Sequence, residues 1–244
     1  MSVPHEILDE LAPSGALRAG INLGNVLLVT GAAPDGTPAG LAPDMAGAVA
    51  KRLGVPVTHV AFDSPGAVAD ALGRGDCDIG LIAIEPARAE TIVFSPPYVE
   101  IEATYLVPEG SPFHAVEDVD RPGVRIAVSE RSAYDLYLAR TLRHAALCRA
   151  KGLAGALRLF ADEHLDALAG LRPALSENAE DLPGSRVLDG RFTSVRQAIG
   201  TRPENTAGAA FLADFVAGAI ASGLVSRLIE RHGIVGRLSV PSIG

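Results

Sequence analysis

The chain has no tryptophan, only two cysteines and two methionines, and just two lysines (Lys51 and Lys151) among its 21 basic residues. Each scarcity excludes something. Cys77 and Cys148 cannot form a disulfide-stapled scaffold, lack metal-ligand spacing and sit in apolar surroundings, where they read as small buried hydrophobes. The six histidines, His5, His59, His114, His144, His164 and His232, are dispersed, with no HxH or HxxxH pair. A metal centre therefore has no support, and no cofactor is expected. The arginines are scattered, and the net charge is −8. Both argue against nucleic-acid binding, because neutralising phosphates takes clustered Lys and Arg. No apolar run approaches the roughly 20 residues that span a bilayer. GxSxG, P-loop and GxGxxG signatures do not occur.

What is present is an ordinary globular composition, 48% hydrophobic and 20% charged over 244 residues, enough for one large domain or two lobes. The start, MSVPHEILDELAPSG, has no basic opening, no apolar core and no small-residue cleavage site, so as written the chain carries no export signal. Either a leader has been removed or the protein stays in the cytoplasm. The amphipathic Ile7-Leu8-Leu11 turn, which looks like a native start, favours the second.

Short apolar runs alternate with helical patterns, the mark of βα units around a parallel sheet. Strands are expected at Leu17–Leu23, Val57–Ala61 and Asp78–Ile84. A helix over Met45–Leu53 is expected to be capped by Asp44 and stopped by Gly54, and a second to open at Ser64-Pro65 and run to Leu72. Pro86 starts a short helix. Beyond an extended segment, Glu100–Val107, a second series begins: strand Val124–Ser129, helix from Ser132, strand near Leu147, helix Leu153–Phe160, strand Asp166–Ala169 and helix from Pro173. Another extended segment, Thr193–Thr201, precedes helices over 206–221 and 223–232. The expected organisation is two Rossmann-like α/β lobes, 1–107 with 200–244 and 108–199, joined by crossovers near 103–110 and 193–201 that form a hinge.

The most informative stretch runs from Asp76 to Glu109. An apolar strand ends in Glu85-Pro86-Ala87-Arg88, and the turn Phe94-Ser95-Pro96-Pro97-Tyr98 follows. With Leu17-Arg18-Ala19-Gly20-Ile21-Asn22, Gly40-Leu41-Ala42-Pro43-Asp44-Met45, Asp76-Cys77-Asp78-Ile79, Pro86-Ala87-Arg88-Ala89, Asp118-Val119 and Val124-Arg125-Ile126-Ala127-Val128, in that order and spacing, the chain resembles the bacterial solute-binding proteins of family 3. This is the polar amino-acid type, with the type 2 periplasmic-binding fold, and the similarity extends over about residues 15 to 240. The resemblance implies a non-enzymatic, monomeric protein that traps a small solute between two lobes by hinge closure. It also implies an ABC permease as partner and a periplasmic location. By that likeness Arg88 grips a ligand carboxylate, with Ala83 at the end of the preceding strand, while Ser132 and Ala133 offer the N-terminus of a second-lobe helix to the same group.

Several positions depart from the family pattern. Leu171 stands where an aspartate usually holds the ligand ammonium, with Arg172 beside it. Asn25 replaces a stacking aromatic, Asn22 an acid at the end of the first strand, and Glu85 a threonine three residues before Arg88. The stretch between Asp78 and Arg88 is two residues shorter than the pattern. The expected ligand is thus a small carboxylate-bearing molecule, an organic acid or amino-acid derivative, rather than a plain amino acid. Alternatives stay open at single residues. Arg88 either grips a ligand or braces the Phe94–Tyr98 turn. Glu85 is a solvated helix-start carboxylate, a partner of Arg88 or a cation binder. Arg172 is an exposed helix-start residue or a second anion contact. Tyr134 lies in the core or faces the ligand, and Gln197 reaches the ligand or bridges the hinge. Two other functions remain: an enzyme on the same scaffold, a cyclohexadienyl-dehydratase-like lyase using Glu85 as acid, and a cytoplasmic sensor or scavenger without a permease.

Overall fold

The computed structural model describes residues 3–241. The chain divides into two compact units, residues 1–100 with 196–244, and residues 101–195. The division falls within two long strands, at 100/101 and 195/196, whereas the expected changes of lobe lie at 107/108 and 199/200.

The first unit opens with a short helix, α1 (His5–Leu11), and strand β1 (Leu17–Asn22). A two-residue pair, β2 (Gly31–Ala32) and β3 (Pro38–Ala39), precedes α2 (Leu41–Leu53). Then come β4 (Val57–Phe62), α3 (Pro65–Arg74), β5 (Ile79–Ala83), the one-turn α4 (Pro86–Ala89) and β6 (Val93–Phe94). Strand β1 lies parallel between β4 and β5. The second crossing strand, β12 (Thr193–Thr201), pairs antiparallel with β5 and with β6. Helices α8 (Thr206–Ala221) and α9 (Leu224–Arg231) complete the unit, with α1 packed on α8 and α2 on α9.

Local chemistry sets most helix ends. Ser64 accepts a bond from Ala67 N at 3.2 Å ahead of Pro65, and Gly54 and Gly75 close α2 and α3 in the left-handed conformation. The start of α2 differs from expectation. It begins at Leu41, after Gly40, and Asp44 lies inside the first turn rather than capping it. Pro43 is tolerated because N–H groups in a first turn have no helical acceptor. A Cβ on Gly40 would collide with the carbonyl of Leu28, so the cap position takes glycine.

Pairing aligns Gly20 of β1 with Gly80 of β5, and Gly80 with Gly200 of β12. A Cβ at Gly80 would lie 2.7 Å from Leu72 and 2.8 Å from Val68, one at Gly20 3.0 Å from Val68 and Cys77, and one at Gly200 2.5 Å from Ile92. This bare strip lets α3 and the segment after α4 sit directly on the sheet, closing a core of Val68, Ala71, Leu72, Cys77, Ile82 and Ile92. Cys77 is fully buried there, and burial pushes its thiol up to about 11.

The second unit runs from strand β7 (Val99–Pro108), most of which belongs to it, through β8 (Arg125–Ser129), α5 (Ala133–Thr141), β9 (Ala146–Ala150), α6 (Gly152–Asp162), β10 (Ala167–Leu171), α7 (Arg172–Asp181) and β11 (Ser185–Val187). Strands β10, β8 and β9 are parallel, and β7 pairs antiparallel with β10 and β11. Helix α6 covers the sheet, and Phe160, Leu165, Leu168 and Leu175 gather in the core. Cys148 packs at the margin of that core and is half-buried, not buried as expected; both cysteines are free.

The two units use the same device before an inner strand. Asp78, fully buried, accepts from Arg18 N at 2.8 Å and from the Arg18 guanidinium through Nε and Nη2 at 3.1 and 2.5 Å. Asp166 accepts from Arg125 N at 2.7 Å. In each case the carboxylate ties the entry of one strand to that of its parallel neighbour.

Candidate functional site

In the first unit the C-terminal ends of β1 and β5 share one edge of the sheet, the edge at which open α/β sheets bind ligands. Strand β5 continues through Ile84, whose N–H bonds the carbonyl of Arg196 at 2.9 Å. Glu85 is still extended, Pro86 occupies the first helical position, and the N–H groups of Arg88 and Ala89 both reach the Glu85 carbonyl at 2.9 Å. This single turn folds Arg88 back over the strand. Its Nη1 donates to the carbonyl of Ala83 at 2.8 Å, and the residue is only 5% exposed. Glu85 is buried too, at 7%, which removes the solvated reading of its carboxylate. The bond to Ala83 braces the end of β5.

Gln197 stands opposite Ala83 in the antiparallel pairing of β12, so the two side chains share a face. Its carbonyl accepts from Tyr98 N at 2.9 Å. The Phe94–Tyr98 turn is fastened to the same strand by Ser95, whose N–H bonds Ile199 O at 2.9 Å and whose Oγ accepts from Ile199 N at 3.1 Å. Tyr98 is fully buried, its hydroxyl has no partner, and burial raises its pKa well above the usual tyrosine value. At the exit of β1, Asn22 Oδ1 accepts from Gly24 N at 3.0 Å in a tight local turn. Asn25 is buried, and its Oδ1 has no hydrogen-bond partner. Leu23 and Val26, in the same loop, are exposed. Neither was singled out from sequence, where an apolar residue in a loop carries no signal.

In the second unit Ser132 caps α5, its Oγ accepting from Asp135 N at 3.1 Å. Asp135 in turn accepts from Arg131 N and from Arg149 Nε, each at 2.8 Å, which holds Arg131 in the left-handed conformation at φ 56. Ala133 and Tyr134 are buried in the first turn. The Tyr134 phenol is pushed up to about 12 by burial, opposed by hydrogen bonds with Ser132 and Ser129. Arg172 is neither an exposed helix start nor an open cation. It donates to Glu102 Oε2 at 2.8 Å, to Leu188 O at 3.3 Å and to Gly190 O. Arg191 joins Glu102 at 2.9 Å; the hydrogen bond from Arg172, the largest effect, outweighs burial and, with the lesser help of Arg191, holds the Glu102 carboxyl below the usual range. Leu171, beside it, is buried. Among the described residues no group of three or more His, Cys, Asp or Glu is gathered for a metal.

The family model for bacterial extracellular solute-binding proteins, family 3, matches residues 28–234. The chain belongs to that family. Solved structures agree on the fold of this family 3 protein. A mutant of ArgBP from T. maritima aligns with a TM-score of 0.76 at 22% identity, covering 93% of this chain and 99% of that one. AncCDT-1, described as an ancestral amino acid-binding protein and a precursor of cyclohexadienyl dehydratase, aligns at 0.76 and 24%, covering 92% and 97%. AbpA from Streptococcus pneumoniae, an amino acid ABC transporter substrate-binding protein bound to L-arginine, aligns at 0.75 and 17%, covering 91% and 96%. A comparison with curated proteins finds no match for the family 3 chain.

Proposed function

We propose that this family 3 protein binds, without converting, a small carboxylate-bearing organic solute, and that Arg88 grips the carboxylate. The observation carrying this reading is the buried Arg88 side chain, folded back onto the Ala83 carbonyl at the ligand-binding edge of a parallel sheet. A guanidinium suits the task because its planar fork matches two carboxylate oxygens. Asn22, Asn25, Ala83, Glu85 and Gln197 line the same edge. In the second unit, Ser132, Ala133 and Tyr134 at the start of α5 are a separate candidate for meeting an anion, since N–H groups at a helix start favour one. Arg172 is left out, because Glu102 and two carbonyls hold it. An ABC permease is the partner this reading calls for.

A thermal-shift screen tests the proposal. A ligand bound only by the folded state stabilises it by about 2.7 kcal/mol at a hundredfold excess over Kd. Carboxylic acids are expected to raise the melting temperature, whereas their methyl esters and amides do not. Equal shifts from acid and ester would reject a carboxylate grip. Recovery of the bound acid unchanged, including prephenate-like acids, separates binding from lyase chemistry.

A further inference from the structure

Leu23 and Val26 are 37% and 53% exposed, two of the four exposed large hydrophobic side chains among the described residues. Single exposed aliphatics need no explanation, but the location of these two does. Ile21 pairs with Leu81 at the end of the β1–β5 ladder, and Leu23 and Ala83 each lie two residues further toward the same edge of the sheet, Ala83 being the residue whose carbonyl holds Arg88. Leu23 is kept there by its own N–H, bonded to Phe62 O at 2.8 Å. Between the two aliphatics lies Asn25, 8% exposed, its carbonyl tied to Leu28 N and Val29 N while its side-chain oxygen bonds nothing. An unsatisfied buried acceptor costs on the order of 1–3 kcal/mol. One retained beside a ligand edge is satisfied when the loop adjusts to a donor on the solute. An amide oxygen answers a neutral O–H or N–H well, but it does not compensate the charge of an ammonium as a carboxylate would.

We infer that the solute is an amphiphilic monocarboxylate: its carboxylate at Arg88, an aliphatic or aromatic body on Leu23 and Val26, and one uncharged donor, a hydroxyl or amide N–H, for Asn25. The inference rests on the proposed role of Arg88 and adds the chemistry of the rest of the ligand.

Calorimetry with four probes decides it: 2-hydroxy-4-methylpentanoate, 4-methylpentanoate, leucine and lactate. The wild type binds the branched hydroxy acid at least about tenfold more tightly than leucine or lactate. Val26→Ser, at an exposed position, weakens the branched hydroxy acid several-fold while changing lactate by less than about twofold. Asn25→Leu brings the hydroxy acid down to the level of 4-methylpentanoate. Asn25→Asp, which keeps the shape of the residue should the leucine variant fail to fold, moves preference toward leucine. If leucine equals the hydroxy acid in the wild type, or Val26→Ser leaves the branched acid unaffected, the inference falls. When that happens while Arg88→Ala still weakens binding of these acids at least about tenfold, the carboxylate grip survives alone. If the wild type binds no carboxylate, both fall together.

Discussion

The guanidinium of Arg88 donates through Nη1 to the carbonyl of Ala83 at 2.8 Å, so the strand that delivers the arginine also holds it. The bond fixes the side chain before any ligand arrives, and a fixed donor loses less rotamer entropy on binding than a swinging one. If Arg88 grips the ligand as proposed, this cation at the end of β5, beside the ladder to β12, is held in place before binding.

Two glycine substitutions are expected to act with opposite sign, one in the strip under α3 and one in α2. Gly80→Val drives a branched side chain into Val68 and Leu72 and is expected to cost about 1–3 kcal/mol. Gly47→Ala, in the interior of α2 where a Cβ meets nothing within 4 Å, is expected to stabilise by about 0.5–1 kcal/mol. Urea denaturation followed by circular dichroism measures both. Equal effects would mean that the strip is not the tight contact described.

Asp78 and Asp166 make the same connection at different depths. Removing one partner of a buried ion pair costs about 3–5 kcal/mol, and because the Arg18 side chain is 32% exposed, Asp78→Ala belongs near the lower end. Asp166→Ala, at a half-buried residue, is expected to cost about 1 kcal/mol. Denaturation of the two variants in parallel gives the ratio, and a costlier Asp166 variant would reverse the account.

Acid should weaken the second unit. Glu102 is held low by Arg172 and Arg191, and Asp118 by the N–H groups of His114 and Ala115. At Asp120 burial raises the pKa, but the N–H groups of Ala145, Arg143 and His144 together lower it further. A carboxylate with a depressed folded pKa contributes stability that is fully present above its unfolded value, about 4. That contribution is lost as pH falls through the folded value. Hydrogen exchange at pH 5 and pH 3 is therefore expected to show loss of protection around residues 113–121 and 143–146 at the lower pH. Unchanged protection there would contradict these assignments.

Features set by neighbouring residues were legible in the sequence. Ser64-Pro65, Gly54 and Ser132 cap helices as read, because a cap needs only a side chain and an N–H within one turn. The extended segment Thr193–Thr201 matches its strand residue for residue. The start of α2 was missed because Asp44 looks like a cap wherever it stands near an apolar run, while Gly40 caps by leaving room for Leu28. The β2–β3 pair was missed because Gly31-Ala32 and Pro38-Ala39 show no strand pattern; Asp35, bonded to Thr37 N at 2.9 Å, makes the turn. The glycine strip needs the register of three strands to exist, and no single segment shows it. At the candidate site the residue types of Arg88, Glu85 and Asn25 were readable, but the capture of Arg172 by Glu102 was not, since 70 residues separate them.

The central claim meets its most direct test in calorimetry of Arg88→Ala and Arg88→Lys against an acid that stabilises the wild type. A charge-assisted hydrogen bond is worth about 1.5–3 kcal/mol, so Arg88→Ala is expected to lose roughly 10- to 150-fold in affinity. Arg88→Lys should recover only part of it, because an ammonium keeps the charge without the planar fork. Both variants should keep the circular dichroism spectrum of the parent. A folded Arg88→Ala protein that binds the acid with wild-type affinity would contradict the account.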